Sequence, residues 1–294
     1  MRYGLIGTGY WAREVHATGL AAAPGEELVG VWGRDEVKRG EVAERFGIVA
    51  YDSPAALFAD VDAVAFAVPP DVQAPLAIEA AEAGCHLLME KPTALDPSQA
   101  TAVADACERA GVASVVFFTL RFDEALADWL SSVRAQEGWE GVNATWVGNL
   151  FAEGSPYAQS PWRRSEGALW DLGPHSLSMA LPIMGPVIDV VARRGRHDLV
   201  RVILTHEGGG TTALLLSHTV DGEATARGVE AFGTDGWSRM PDGGGAEQPF
   251  QAAVAALAEA AATGRAHPCD ARFGALVVDL LARAEASAGP TGPA

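Results

Sequence analysis

The chain has 294 residues, of which 49% are hydrophobic and 20% are charged, and its formal net charge is −17. This length accommodates two domains, and the composition is typical of a packed globular protein rather than a disordered chain. The excess of acidic residues disfavours binding to nucleic acid or to anionic membranes, because like charges repel and no basic patch interrupts the sequence.

Signals for export or metal binding do not emerge from the sequence. The first residues lead directly into a predicted strand, without the charged and apolar succession of a secretory signal. No apolar run approaches the roughly 20 residues that span a bilayer. The three cysteines, Cys85, Cys107 and Cys269, are far apart and lack a second ligand nearby, so no disulfide framework or metal site is expected. We expect a cytoplasmic protein.

The first part of the chain alternates apolar strands with helices. Strands are predicted at 2–6, 27–32, near 49, 63–68, 86–89 and 113–118, and helices at 10–23, 35–46, 54–58, 71–83 and 97–110. Strands that are apolar throughout and alternate with helices indicate a parallel sheet covered on both faces. We therefore predict an α/β domain with a doubly wound parallel sheet over residues 1–119.

The pattern changes near residues 119–123, where we place a domain boundary. A helix at 124–135 precedes longer alternating segments at 141–149, 187–195, 199–207, 211–220 and 224–233, and helices follow at 249–263 and 270–286. Such alternation is typical of an antiparallel sheet with one solvated face. We therefore predict a second α/β domain, with a largely antiparallel open sheet, over residues 120–288, and a flexible tail at 289–294.

A glycine-rich turn follows the first predicted strand. Gly7-Thr-Gly9-Tyr10-Trp11-Ala12 opens a helix, which is the context of a dinucleotide-binding loop. Gly7 permits the tight turn, and Gly9 lets the backbone approach a pyrophosphate at the helix N-terminus. The alternative is an ordinary strand-to-helix turn.

Residues after the second strand bear on the choice of cofactor. NAD enzymes usually carry a carboxylate there for the ribose, whereas arginine suits the 2′-phosphate of NADP. This chain has Gly33 and Arg34, followed by Lys38, and the only nearby acid is Asp35. The sequence therefore favours NADP over NAD. Alternatively, Arg34 and Lys38 only solvate the start of a helix.

Two further patterns carry potential chemistry. Glu90-Lys91-Pro92 ends a strand at the carboxyl edge of the sheet, where Lys91 can neutralise negative charge on a substrate oxygen and Pro92 is a candidate for a cis bond. Asp171 and His175 share one helix face, about one turn apart, and can hold and move a proton. Each has a structural alternative: an exposed ion pair for the first, and a helix cap with a core histidine for the second.

Taken together, these motifs resemble those of the Gfo/Idh/MocA oxidoreductase family over nearly the whole chain. The resemblance rests on GTGYWA at 7–12 with His16, AVPP at 67–70, GCHLLMEKP at 84–92, LRFD at 120–123 and PWRRSEGALWDLGPHSLSM at 161–179. It implies a Rossmann domain joined to an α/β domain whose open sheet mediates dimers or tetramers. It also implies a dehydrogenase that uses NADP or NAD and acts on a small hydroxyl or carbonyl compound such as a sugar.

The resemblance assigns roles residue by residue. Lys91, Asp171 and His175 match the lysine, aspartate and histidine that act on the substrate hydroxyl. The expected cofactor-binding residues are Gly7, Gly9, Tyr10, Trp11, Gly33, Arg34, Lys38, Val68, Pro69, Glu90, Lys91 and Arg163. Arg163 and its neighbour Arg164 favour an anionic group or contact the cofactor, or else are surface residues of a loop.

The chain also departs from the family pattern. Pro70 and Gln73 stand where relatives often carry Asn and His, and Ser178 stands where many carry Asp. Loss of that carboxylate removes a potential acceptor for a sugar hydroxyl. Two alternatives to a dehydrogenase remain. The resemblance includes relatives that cleave glycosides and oxidise the substrate transiently with bound NAD, and the departures from the pattern leave open a catalytically silent NADP-binding regulatory protein.

Overall fold

The computed structural model describes residues 1–220 and 222–289, and its contacts divide the chain into two compact units. The first unit comprises residues 1–122 and 244–278, and the second comprises residues 123–243 and the chain from residue 279. Residues 290–294 of the expected flexible tail lie outside the described residues. Within the described residues, no helix combines the length and the apolar composition needed to cross a membrane.

The first unit contains a six-stranded parallel sheet. Its strands are β1 (Arg2–Ile6), β2 (Glu27–Trp32), β3 (Val49–Ala50), β4 (Ala63–Phe66), β5 (His86–Met89) and β6 (Ser114–Val116). They lie in the order β3-β2-β1-β4-β5-β6, and every pair is parallel. The order reverses between β1 and β4, which is where open α/β sheets bind ligands at their carboxyl edge. The predicted doubly wound sheet is confirmed.

Helices connect these strands, and three of them begin at a capping side chain. A π-helical segment, Ala12–Ala17, continues into α1 (Thr18–Ala22), followed by α2 (Glu36–Phe46), α3 (Pro54–Phe58), α4 (Pro70–Glu82) and α5 (Pro97–Ala110). Asp35, Ser53 and Asp96 accept hydrogen bonds from the first-turn N–H groups of α2, α3 and α5. Such N-caps satisfy donors that have no partner within the helix.

The second unit is built on a mixed sheet. Its elements are α6 (Glu124–Arg134), β7 (Trp139–Val147), α7 (Pro161–Met184), β8 (Val187–Arg194), β9 (Val200–His206), β10 (Thr211–Ser217), β11 (Ala226–Gly233) and β12 (Gly236–Arg239). The strand order is β12-β11-β7-β10-β9-β8, and all pairs are antiparallel except β7 with β10. The prediction of a largely antiparallel sheet is confirmed. Helix α7 packs against β7 and β10.

The last two helices are α8 (Glu247–Thr263) and α9 (Ala271–Ala288), and α8 belongs to the first unit. Phe250 of α8 lies 4.4 Å from the ring of His16 and 5.3 Å from that of Phe117, measured between centroids. Cys269 lies beside β6, because its carbonyl oxygen accepts from Val116 N at 2.7 Å. The contacts thus group residues 244–278 with the first unit, whereas the domain expected from the sequence is continuous over residues 120–288.

Candidate active site

The glycine-rich turn lies at the carboxyl end of β1. Gly7 has a φ of 134°, and a Cβ there would lie 2.5 Å from the carbonyl oxygen of Ala67, so only glycine fits. A Cβ on Gly9 would meet nothing within 4 Å, so its backbone faces open space. Tyr10, 44% exposed, and Trp11 begin the helical run that follows. A tight turn with open space at a helix start fits a dinucleotide pyrophosphate.

The segment after β2 presents exposed cations. Arg34 and Lys38 are both exposed, whereas the buried Arg39 donates to the carbonyl oxygen of Gly33 at 3.3 Å. Asp35 caps α2 by accepting from Lys38 N at 3.1 Å, and the Lys38 ammonium lies 3.4 Å from the same carboxylate. The capping N–H of Lys38 lowers the pKa of Asp35. The nearby acid therefore serves the helix, while Arg34 extends into solvent.

The carboxylate of Glu90 accepts hydrogen bonds from two residues of the first helical run. Trp11 Nε1 donates to Glu90 Oε1 at 2.5 Å, and His16 Nε2 lies 2.8 Å from the same oxygen. Because a carboxylate can only accept, His16 is the donor of that bond. His16 is wholly buried within the π-helical segment. The indole of Trp11, expected at the cofactor, is thus joined to the residue before Lys91.

Gln73 holds the turn that carries Lys91. Its Oε1 accepts from Glu90 N at 2.9 Å, and its Nε2 lies 2.8, 3.2 and 3.3 Å from the carbonyl oxygens of Glu90, Pro92 and Thr93. Gln73 is wholly buried, and Lys91 is 9% exposed. The Lys91–Pro92 bond is cis, as the sequence indicated. Gln73, noted in the sequence only as a departure, thus fixes the backbone on both sides of Lys91.

Val68 and Pro69 follow β4, which ends at Phe66 rather than at 68. Pro69 is the residue before α4, and Pro70 occupies the first turn, where its missing N–H costs no hydrogen bond. Because parallel strands end at one edge of a sheet, these residues lie on the same edge as the glycine-rich turn and Glu90. The expected cofactor residues of the first unit thus share one edge.

In the second unit, Asp171 and His175 lie on α7, as the spacing predicts. They are 4% and 8% exposed, and the ring of His175 stacks on Trp146 of β7 with centroids 4.8 Å apart. Gly167, with φ 71° and ψ −170°, divides α7 into two helical pieces. The buried pair therefore belongs to the longer piece, which starts after that break.

Arg163 lies on the shorter piece of α7, not on a loop, and binds Asp171. Its Nε donates to Asp171 Oδ2 at 3.0 Å, and its Nη1 donates to Ser160 Oγ at 3.3 Å. Its guanidinium carbon lies 4.6 Å from the ring centroids of both Tyr157 and Trp162. Arginine has the planar shape for such stacking, and the arrangement holds Arg163 at the Asp171 carboxylate.

Two further polar residues of α7, Arg164 and Ser178, form hydrogen bonds with backbone carbonyl groups. Arg164 donates from Nε and Nη2 to the carbonyl oxygen of Ala158, at 3.1 and 2.6 Å, and its guanidinium carbon lies 4.3 Å from the ring centroid of Phe151. Ser178 is wholly buried and donates to the carbonyl oxygen of His175 at 2.8 Å. Arg164 therefore holds the segment that precedes α7, and only Ser178 bonds to the backbone of His175.

His218, which follows β10, also lies at Asp171, although no sequence motif indicates it. Its Nε2 lies 3.2 Å from Asp171 Oδ2, and its Nδ1 lies 3.6 Å from Asp198 Oδ2. His218 is 1% exposed. The sequence alone places it in an alternating strand without a second ligand nearby, and no local spacing relates it to Asp171. The contact forms only because β10 packs against α7.

Comparison with known proteins agrees with the fold. Residues 1–118 match the model of an oxidoreductase family with an NAD-binding Rossmann fold, and residues 141–239 match the GFO/IDH/MocA C-terminal domain. A solved structure of UDP-N-acetylglucosamine 3-dehydrogenase from Acidithiobacillus ferrooxidans superposes with a TM-score of 0.83, covering 98% of this chain and 97% of that one, at 23% identity.

Curated relatives are similar over shorter segments. An uncharacterised oxidoreductase of Escherichia coli (strain K12) is 32% identical over 63% of this chain and 54% of its own length. D-apiose dehydrogenase of Paraburkholderia graminis is 29% identical over 73% of this chain and 60% of its own length. The chain thus spans less than two thirds of either relative. Because the two family models match successive parts of one chain, the protein belongs to the Gfo/Idh/MocA family of NAD-binding oxidoreductases.

Proposed function

We propose that the protein transfers hydride between a nicotinamide cofactor and the CH–OH carbon of a small hydroxyl or carbonyl compound. The observation that carries this proposal is the turn at Gly7 and Gly9, tight on one side and open on the other, at the point where the parallel sheet reverses its order. The buried pair Asp171 and His175 supports it, because hydride removal from an alcohol also requires a proton acceptor.

Three side chains act on the reacting hydroxyl in this proposal. The bound cofactor supplies the hydride acceptor at its nicotinamide ring. His175 accepts the hydroxyl proton during oxidation and returns it during reduction. Lys91 stabilises the alkoxide oxygen, and Asp171 orients the imidazole or the substrate.

The cofactor is proposed to bind along the carboxyl edge of the first sheet. Gly7 and Gly9 would hold its pyrophosphate, and Gly33 would lie beside its ribose. The exposed guanidinium of Arg34, together with Lys38, supports a preference for NADP, because Asp35 is already engaged as a helix cap. The remaining proposed cofactor contacts are Tyr10, Trp11, Val68, Pro69, Glu90, Lys91 and Arg163.

The proposed substrate is a sugar or sugar derivative. The relative named D-apiose dehydrogenase supports this class. Ser178 bonds to the helix backbone and supplies no carboxylate one turn beyond His175. The site therefore offers one fewer acceptor for substrate hydroxyls, which favours a substrate with fewer hydroxyl groups than a polyol. The cytoplasmic location expected from the sequence stays a prediction.

We also propose a homodimer or homotetramer formed through the second sheet. Val191 and Ile203 are paired across β8 and β9 and are 40% and 51% exposed, and Ile188 is 58% exposed. Apolar clusters on an open sheet face are typical of interaction sites. Replacing Val191 and Ile203 together by lysine should lower the mass found by light scattering, whereas Val37→Lys, at an exposed valine of α2, should not.

The proposed activity is tested with the purified chain and a panel of aldoses, ketoses and cyclic polyols. Reduced cofactor is measured with NADP and with NAD. Accumulation of reduced cofactor with a sugar substrate supports the proposal. Cleavage of an aryl glycoside without net cofactor reduction would instead identify a glycoside-cleaving enzyme, and NADP binding without any turnover would identify a silent binding protein.

A further inference from the structure

His218 lies between two carboxylates at the end of β10. Its two ring nitrogens face Asp171 Oδ2 at 3.2 Å and Asp198 Oδ2 at 3.6 Å. These are charge contacts on opposite sides of one imidazole, which is wholly enclosed apart from 1% of its surface. A histidine at such a position can respond to, and transmit, the charge of either neighbour.

Asp198 is itself held in place by residues at the end of β10 and directly after it. Its Oδ1 accepts from Ser217 Oγ and from Thr219 Oγ1, each at 2.6 Å, and its Oδ2 accepts from His218 N at 2.8 Å. Three hydrogen bonds fix the carboxylate beside the ring. Asp198 therefore aligns the imidazole of His218. The ring of Phe151 packs edge-on against this imidazole, with the two ring centroids 5.4 Å apart.

Asp171 and Asp198 are carboxylates that face His218, and Arg163 adds one guanidinium at Asp171 Oδ2. Asp171 is 4% exposed, whereas the side chain of Asp198 is 21% exposed. A buried carboxylate needs polar or positively charged neighbours, because desolvation is costly for an isolated ion. Asp171 therefore depends more on its neighbours Arg163 and His218 than Asp198 does.

His206 provides a useful contrast within the same unit. It is equally buried, but its Nδ1 lies 2.9 Å from the carbonyl oxygen of Gly185 and its Nε2 lies 2.9 Å from Thr212 Oγ1. Both partners are neutral, so His206 has the environment of a structural histidine. His218 differs because both of its nitrogens face carboxylates, one of which is a proposed functional group.

We propose that His218 is a positioning residue for Asp171, held by Asp198. This inference rests on the proposed function, because Asp171 is there assigned to the substrate or to His175. His218 Nε2 and Arg163 Nε both lie at Oδ2 of Asp171, at 3.2 and 3.0 Å, so the two side chains hold the same carboxylate oxygen.

The variants His218→Gln and His218→Ala separate this role from mere packing. Glutamine retains an N–H donor that can reach Asp171 but does not titrate, whereas alanine removes the donor. We expect a loss in kcat of about 100-fold for His218→Ala, because misplacement of a catalytic group costs about that factor, and a loss within about fivefold for His218→Gln. His206→Gln is the matched control and should keep the wild-type kcat.

Rescue by glutamine, measured as kcat and KM, supplies the decisive readout. His218→Ala should lower kcat and leave the KM for NADP unchanged, because Asp171 acts on the substrate or on His175, and His218→Gln should restore kcat. If kcat in His218→Ala equals that of wild type, or if His218→Gln loses as much kcat as His218→Ala, the inference is overturned while the proposed function stands. If wild type turns over no member of the sugar panel with either cofactor, both are overturned.

Discussion

The side-chain amide of Gln73 is joined to the backbone of Glu90 at both ends. The amide oxygen accepts from Glu90 N at 2.9 Å, and the amide nitrogen donates to Glu90 O at 2.8 Å. A side chain near the start of α4 therefore fixes the turn after β5, on which Lys91 lies. The departure from the family pattern at position 73 thus has a structural role of its own.

Replacing Gln73 by methionine should weaken both stability and turnover. The apolar isostere leaves the N–H of Glu90 without its side-chain acceptor, and each buried polar group left without a partner costs about 1–3 kcal/mol. We expect a lower free energy of unfolding in urea and a fall in kcat, because Lys91 is no longer held. Gln99→Met, at an exposed position of α5, is the control. Unchanged kcat in Gln73→Met would contradict the proposed role of Gln73 in holding Lys91.

Arg34 should determine the preference for NADP. Arg34→Ala removes the guanidinium proposed to bind the 2′-phosphate, and one charge-assisted contact contributes about 1.5–3 kcal/mol, or roughly 10- to 100-fold in Kd. Calorimetry should show weaker NADP binding and unchanged NAD binding. Arg109→Ala, at an exposed arginine that lies 3.9 Å from Glu82, should alter neither. Equal affinity of wild type for the two cofactors would refute the role of Arg34.

Gly19 should be intolerant of a side chain because α8 packs directly on it. A Cβ at Gly19 would lie 2.4 Å from Phe250 Cδ1, and Phe250 is wholly buried. Gly19→Ala should therefore destabilise the protein by about 1–3 kcal/mol in urea. Gly40→Ala, in α2 with nothing within 4 Å of its Cβ, should instead stabilise it by about 0.5–1 kcal/mol. A combined Gly19→Ala and Phe250→Leu variant should recover part of the loss.

Acid should destabilise the protein through three histidines, of which His206 is buried and His86 and His267 are half-buried. Burial lowers the pKa of His206, and burial is also the main cause of the lower pKa of His86 and His267. Below the ordinary value of about 6.5, the unfolded chain takes up protons before the folded one does, so the free energy of unfolding falls as pH decreases. Each unit of pKa difference contributes about 1.4 kcal/mol.

His206→Gln tests this pH dependence. Urea unfolding at pH 8 and at pH 5.5 gives the change in the free energy of unfolding for wild type and for the variant. The change should be smaller in His206→Gln, because one buried titrating group is gone, although the variant itself is less stable at both values. An equal change in the two proteins would assign the acid sensitivity to other groups.

Patterns in short stretches of sequence predicted the helices and strands and the residues that share a helix face. The alternation of strands and helices predicted both sheets, and the four-residue spacing of Asp171 and His175 predicted their shared helix face. The contacts of Gln73 and His218 could not be predicted in this way, because each depends on elements far apart in the chain. The return of residues 244–278 to the first unit likewise depends on the fit of Phe250 over Gly19, which no periodicity encodes.

Direct hydride transfer between nicotinamide and a substrate carbon can be followed with an isotopic label. NADPH carrying deuterium at both C4 positions is incubated with the protein and the panel of aldoses and ketoses, and the products are analysed by mass spectrometry. We predict one deuterium bound to carbon in the reduced product, and a large loss of labelled product in His175→Ala with NADPH binding retained. Absence of deuterium from every product would contradict direct hydride transfer, and equal labelling by His175→Ala would contradict the role of His175.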